Sequence, residues 1–372
     1  MPEDFIVTPW EVTGEVDYDK LIEKFGTEKV TDEVLQRIEK HASPLHVMLR
    51  RGIFYSHRDM NWIIDQHEKG NTFFIYTGRG PSGSTHIGHL MPWILCKWLQ
   101  DHFKNKFYFQ LTDDEKFLFE EKKTLDETKK YAYDNALDII ALGFDPKLSH
   151  IFLDTEYIHN LYPIAVKVAK KITFSTVRAV FGFNQSMNVG SIFYTSMQAA
   201  PAFLGSVLEG RNVPCLIPCG IDQDPHFRIA RDAAEKLGYF KPALLHNKLL
   251  PSLSGSGKMS SSVPGSSIST TDTEADVKKK IDNAFTGGRV SVEEQRELGG
   301  NPDVCAVYKY YLYLFIPDDK ELQERYDECR SGSILCGECK QNLISLVWAF
   351  LKDHQKKREK AKDVLEEFML RD

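Results

Sequence analysis

Apolar residues gather along this chain in short runs separated by amphipathic stretches, and several runs end in glycine or acid. TFFIYTG (Thr72–Gly78) has the length of a buried strand and closes on glycine. RGPSGST then reads as a Gly/Pro/Ser loop, and HIGHLMPWILCKWLQDHF as an amphipathic helix. KFYFQLTDDEK predicts the next strand, ending in an acidic turn. A helical middle follows from about Thr124 to Phe181, broken by GFDP (Gly143–Pro146) and by the strand-like HIFLD (His150–Asp154). NVPCLIPCGIDQD (Asn212–Asp224) and KPALLHNKLLPSL (Lys241–Leu253) predict two more strand regions. Strands alternating with helices imply an α/β fold with a parallel sheet and loops at the strand ends. The flanks differ. Residues 1–70 hold an extended opening, FIVTPWEV, and polar helical segments such as Asp32–Ala42, which reads as an N-terminal extension. Residues 276–372 are mainly helical and charged.

Composition narrows the class without naming a function. The chain has 372 residues, 42% hydrophobic and 27% charged, enough for a sizeable core and two or three domains. The net charge of −6 offers a polyanion no global attraction, so a nucleic-acid partner would need a local basic patch. No stretch approaches the roughly 20 apolar residues of a membrane span. The start, MPEDFIVTPWEV, lacks the basic and apolar regions of a secretory signal. Seven cysteines then read as reduced thiols or metal ligands, and the expected compartment is the cytoplasm.

Chemistry concentrates in two loops. His86-Ile87-Gly88-His89 stands where a strand–loop–helix unit places a helix N-terminus, a site that favours phosphate. Two imidazoles there can donate to phosphate oxygens as charge develops, and Gly88 lets a ligand approach the backbone. Lys258-Met259-Ser260-Ser261-Ser262 begins 172 positions after His86, in a Gly/Ser loop. A lysine on such a loop can meet a leaving pyrophosphate as a point charge. Each has a plainer explanation: incidental surface histidines at a helix end, and a flexible surface loop. Their order and spacing, both at α/β loop positions, make the pair far more specific than either alone.

With HIGH and KMSSS in place, the sequence resembles the class I aminoacyl-tRNA synthetases. TyrThrGlyArgGlyProSerGly at 76–83, Leu111-Thr112-Asp113-Asp114-Glu115-Lys116, Met197-Gln198-Ala199-Ala200-Pro201 and Gly220-Ile221-Asp222-Gln223-Asp224-Pro225 narrow this to the eukaryotic and archaeal branch of the tryptophanyl family. The resemblance covers roughly Phe5 to Leu370, and TDDEK and IDQDP are its most discriminating strings. It implies a Rossmann-type nucleotide-binding domain (71–275) with a helical insertion (about 124–190) that builds a homodimer, and a helical anticodon-binding domain (276–372). The implied substrates are tryptophan, ATP carried with Mg²⁺, and tRNA(Trp).

The resemblance also implies residue roles. Indole carries one donor and no acceptor, so its pocket needs an apolar slot and a well-placed acceptor. Tyr76 and Gln110 match the family's indole readers; Glu115, Gln198 and Gln223 match its candidates for the α-amino group; Thr112 and Phe227 complete the tryptophan set. Arg79, Gly80, His86, Gly88, His89, Lys116, Asp222, Lys258, Met259, Ser260 and Ser261 form the ATP set, with Asp222 facing the ribose. His86, His89 and Lys258 are the expected transition-state contacts. Read without the family, Tyr76 and Gln110 are a core tyrosine and an edge polar residue, and the acids around position 113 are turn and cap chemistry.

Cys305, Cys329, Cys336 and Cys339 form C-x23-C-x6-C-x2-C, with a chelating knuckle at the end. This resembles the iron–sulfur motif of some tryptophanyl enzymes of other branches, with one residue more in the long gap. A 4Fe–4S cluster, Zn²⁺ or four free thiols all fit the spacing. Cys96, Cys215 and Cys219 read as core residues. Lys352–Lys362 carries six Lys/Arg, either a phosphate-contacting surface or a solvated helix face. Three rival functions remain at this stage: a tyrosyl enzyme, a catalytically silent paralogue acting as an interaction protein, and a small-molecule nucleotidyltransferase.

Overall fold

The computed structural model describes residues 5–9, 12–14, 16–255, 257, 259 and 265–372. A short hairpin of β1 (Phe5–Val7) and β2 (Val12–Gly14) opens the chain. Then come β3 (Glu28–Lys29), β4 (Phe54–Arg58), β5 (Phe74–Arg79), β6 (Phe107–Leu111), β7 (Ser149–Leu153), β8 (Cys215–Gly220) and β9 (Ala243–Asn247). These seven form one sheet in the order β3-β4-β9-β8-β5-β6-β7. The five strands from β9 to β7 are parallel; β3 and β4 pair antiparallel at the β9 edge. β5 to β9 match the apolar runs. β3 and β4 do not: they lie within the stretch expected to be a polar helical extension, and β4 completes the sheet beside β9. Its sequence, FYSHR, hides a buried strand because Ser56 and His57 are themselves buried and read as surface residues.

Strand periodicity explains the rest of the architecture. Successive side chains point to opposite faces, and here they divide two cores. Ile75, Phe107, Phe109, Leu111, Ile151, Leu153 and Leu216 fall in one core. Phe74, Tyr76, Tyr108, Phe152, Cys215 and Ile217 fall in the other. Both faces are covered by helices, so the central strands are apolar throughout rather than alternating. Cys96, Cys215 and Cys219 are buried core residues, as the pattern suggested. The C-terminal part is helical and ends in a 33-residue helix, Cys336–Phe368. This helix packs on the helix Leu125–Ala141, which tethers the C-terminal part to the sheet domain.

Candidate active site

From β5 the chain moves outward through β6 and β7, then returns to β8 on the other side of β5. A crevice must open above the carboxyl ends of β5 and β8, the position at which α/β sheets bind ligands. A cleft of about 270 Å³ lies there. β5 and its loop contribute Thr77, Gly78, Arg79, Gly80 and Ser82; the end of β8 contributes Cys219, Gly220, Asp222 and Gln223. His86, Gly88 and His89 enter from the HIGH helix, Glu115 and Lys116 from the helix Asp113–Phe119, and Met259 from the KMSSS loop.

His86 is the N-cap of the helix Ile87–Phe103, and the two histidine rings stack with centroids 3.5 Å apart. His89 Nδ1 accepts twice, from the His86 backbone N–H at 3.2 Å and from Arg79 Nη1 at 2.8 Å. Two donors on Nδ1 leave the ring hydrogen on Nε2, so His89 is set as a donor through that atom. Arg79 is held by the carbonyls of Gly83 and Ser84 as well, and burial lowers its pKa to about 10 despite the acids Asp138 and Asp134 nearby. The two motifs, so distant in sequence, meet here. Ile87 N–H donates to Ile268 O at 3.0 Å, Thr270 N–H donates to Thr85 O at 2.9 Å, and His86 bridges to Ser269. A Cβ on Gly88 would stand 3.1 Å from Met259 Sδ and 3.2 Å from the His86 ring, so any side chain there would crowd Met259 and His86. Lys258, Ser260 and Ser261 lie outside the described residues.

Glu115 hydrogen-bonds the Thr112 hydroxyl at 2.8 Å and pairs with Lys116 at 3.4 Å. Burial pushes its carboxyl up, but Lys116, His226 and Thr112 outweigh that, and the net shift is downward. Glu115 therefore stands as an anion at the cleft wall. Gly80 fits beneath it: a Cβ there would meet Glu115 Oε2 at 2.4 Å. Asp222 is nearly buried below Gly220, and Gln223 is the N-cap of the helix Asp224–Leu237.

Tyr76, Gln110, Gln198 and Phe227 are brought together in the buried layer beneath the cleft. Tyr76 Oη donates to Gln110 Oε1 at 2.5 Å, Gln198 Nε2 approaches Tyr76 Oη at 3.4 Å, and Phe227 meets the Tyr76 ring edge-on at 5.9 Å. Gln198 thus stands beside Tyr76, bonded also to Tyr194, and away from Glu115 at the cleft wall. Gly78 is the backbone partner of Gln110 across the β5–β6 ladder, and a Cβ on it would come within 2.8 Å of Gln110 O. Asp113, at the start of the helix that follows β6, ties that helix to the end of β7, accepting from the backbone and hydroxyl of Thr155. Sequence reading passed over Tyr194, Asn247, His226 and Asp154. Only Asp154 left a signal, as the acid closing HIFLD. The others are ordinary core types until the fold assembles them.

Cys305, Cys329, Cys336 and Cys339 line one small cavity of about 20 Å³, far from the cleft in sequence and walled also by Arg325 and Tyr308. Two glycines make room for the sulfurs: a Cβ on Gly288 would lie 2.6 Å from Cys336 Sγ, and one on Gly300 would lie 2.9 Å from Cys329 Sγ. Burial raises Cys329 to about 11 and Cys339 to about 12. Among the described residues, no group of three or more His, Cys, Asp or Glu side chains is placed to hold a single metal ion. No described helix is long and apolar enough to cross a membrane.

The family model described as tRNA synthetases class I (W and Y) matches residues 68–352. A tryptophan–tRNA ligase of Pyrobaculum calidifontis is 54% identical over all of this chain and 99% of its own length. One from Sulfolobus acidocaldarius is 53% identical over 99% of this chain and 96% of its own. The crystal structure of Plasmodium falciparum tryptophanyl-tRNA synthetase superposes with a TM-score of 0.87 at 42% identity, covering 92% of this chain and 94% of that one. The enzyme from Aeropyrum pernix gives a TM-score of 0.87 at 34% identity, covering 96% and 97%.

Proposed function

The chain belongs to the class I tRNA synthetases of the tryptophan and tyrosine group, and from that membership we propose which residues carry each step of its reaction. It is a tryptophan–tRNA ligase: it activates L-tryptophan with ATP, releasing pyrophosphate, and transfers the tryptophanyl group to tRNA(Trp). ATP is used as its Mg²⁺ complex, as in class I synthetases generally.

ATP lies in the cleft at the β5–β8 switch, its phosphates at the N-terminus of the HIGH helix. The observation that carries this placement is the position of Met259 against Gly88, at the same helix end. His89, with its hydrogen on Nε2, and His86 donate to the phosphate oxygens as the tryptophan carboxylate attacks. Lys258 takes the charge of the departing pyrophosphate, and Ser260 and Ser261 steady the same loop. Arg79 orients His89 and adds positive potential. Asp222 accepts from the ribose, and Glu115 with Gln223 receives the α-amino group. Tyr76 and Gln110 read the indole, with Phe227 as an apolar wall. Catalysis is positioning and charge stabilisation, without a covalent enzyme intermediate.

The helix Ile158–Ala169 exposes Ile158, Tyr162 and Val166 at four-residue spacing, with Phe174 beyond its end. One face of a helix carries such a stripe, and we assign it to a second copy of the chain in a homodimer. Cys305, Cys329, Cys336 and Cys339 gather around one cavity, and four thiols there would hold a structural 4Fe–4S cluster or Zn²⁺. Metal and acid-labile sulfide analysis of anaerobically purified protein tests this: iron with sulfide identifies the cluster, zinc without sulfide the ion, and neither means four free thiols. The expected compartment is that of the tRNA, the cytoplasm.

ATP–pyrophosphate exchange, run separately with tryptophan and tyrosine, tests the assignment of the pocket. Exchange with tryptophan alone is expected. Exchange with tyrosine would overturn the roles given to Tyr76 and Gln110, and no exchange with either would revive the silent-paralogue reading.

A further inference from the structure

We propose that Asp154 is a positioning residue for tryptophan recognition: by accepting from the Gln110 Nε2 amino group it turns the Gln110–Tyr76 pair into an acceptor for the indole N–H. The proposal rests on the roles given above to Tyr76 and Gln110.

Strand geometry brings the three residues to one face. Gln110 pairs with Phe152 across the β6–β7 ladder, and Asp154 lies two residues beyond Phe152, on the same side of the sheet. All of Tyr76, Gln110 and Asp154 are fully buried. An amide can turn over, exchanging its oxygen for its NH₂, and the neighbours decide which way it settles. Here the decision is unambiguous. Gln110 Nε2 lies 2.8 Å and 2.9 Å from the two carboxyl oxygens of Asp154, so the NH₂ faces the acid. Oε1 must then face Tyr76, whose hydroxyl donates to it at 2.5 Å. With its only hydrogen committed, Tyr76 Oη has lone pairs alone to offer a ligand. A second amide agrees: Tyr194 Oη donates to Gln198 Oε1 at 2.6 Å, leaving Gln198 Nε2 toward Tyr76.

The polarity of this chain suits a ring with one N–H donor and no acceptor. Reversing it would point the Tyr76 hydrogen at the indole hydrogen. Asp154 is the end that prevents reversal, because an ionised carboxylate only accepts and has nothing to donate to Gln110 Oε1. Burial together with the neighbouring acids Asp114 and Asp113 raises the Asp154 pKa. A neutral Asp154 would carry a donor as well, so it is the ionised carboxylate that enforces the polarity.

Asp154→Asn offers Gln110 a donor and an acceptor alike, and so frees the amide to turn. The test is pyrophosphate exchange by the full-length enzyme with tryptophan and with the analogue in which a ring oxygen replaces the indole N–H. For D154N we expect tryptophan KM to rise about tenfold with kcat and ATP KM little changed. The preference for tryptophan over the oxygen analogue should fall by a similar factor. Tyr76→Phe should lower the same preference, and adding D154N to it should lower it no further. If Y76F lowers the preference and D154N leaves it intact, the indole reading survives and the positioning role is wrong. If neither moves it, both fall. A D154N protein that fails to fold leaves the wild type to decide: the Gln110 side-chain amide hydrogen that faces Asp154 should be protected from exchange without tryptophan, and rapid exchange of it would overturn the proposal.

Discussion

Asp224 offers a stability test whose size follows from the structure. It is wholly buried at the start of the helix Asp224–Leu237, directly after Asp222 and Gln223. Arg58 grips it through Nε at 2.8 Å and Nη2 at 2.9 Å, and His246 Nε2 stands 3.2 Å away. Burial alone would push its carboxyl up; hydrogen bonds from His246 and Arg58 overcome that and bring it down to about 2, from 3.8. A folded pKa below the unfolded one means that ionised Asp224 stabilises the fold above pH ~4, and that this stability is lost as pH falls from about 4 to about 2. A shift of this size is worth about 2 kcal/mol. Asp224→Asn should therefore lower the urea-unfolding free energy at pH 7 by at least that amount. The gap to wild type should shrink by about 2 kcal/mol as pH is taken from 5 toward 2. Any part of the gap that persists at low pH reflects the pairing of Arg58, which keeps the carbonyls of Phe25 and Gly26 as partners. A pH-independent gap, or one under about 1 kcal/mol at pH 7, would refute the reasoning.

Three further outcomes are expected. Gly88→Ala should raise ATP KM about tenfold with tryptophan KM little changed, because the new methyl would crowd Met259 and His86; pyrophosphate exchange at varied ATP reads this. Lys258→Ala should lower kcat by about 100-fold while tryptophan binding by calorimetry stays intact, and a collapse of that binding would remove Lys258 from the pyrophosphate role. Arg358→Ala leaves the buried carboxylate of Asp138 with His354 alone and Asp134 unpaired, and should cost about 3 kcal/mol in urea unfolding.

Much of the sheet was legible because its central strands are buried on both faces and so read as unbroken apolar runs. β4 was not, since Ser56 and His57 satisfy their polarity inside the protein, Ser56 through His246 at 3.1 Å. Only the assembled fold reveals that these are core positions. The HIGH and KMSSS loops were legible because loop chemistry is written in rare residue types at fixed spacing. The supports of the site were hidden for the opposite reason. Asp154, Tyr194 and Asp138 act through partners that lie 44, 4 and 216 positions away, and only the first and third cross between elements. A single acid at a strand end or within a helix carries no mark of what it will face. Gln198 shows the same limit from another side: its place beside Tyr76 follows from the packing of the helix Val189–Ala199 over β5, which no local pattern specifies.

The long C-terminal helix shows how the two distant motifs are made to act as one site. Gln355 Nε2 donates to the carbonyls of Thr270 and Asp272, each at 2.9 Å, and so holds the segment that returns from the KMSSS loop. The adjacent His354 bonds Asp138 at 2.9 Å, on the helix Leu125–Ala141, whose Asn135 donates to the Gly83 carbonyl in the loop before HIGH. Two consecutive helix residues therefore reach both banks of the same junction, where Thr270 and Thr85 are already joined through their backbones. Backbone pairing alone sets the register of the two segments but leaves them able to lift together from the domain. Anchoring both to one rigid helix removes that freedom. The helix N-terminus and the segment Ile268–Thr270 beside it then keep a fixed separation, the condition that positioning of a triphosphate demands.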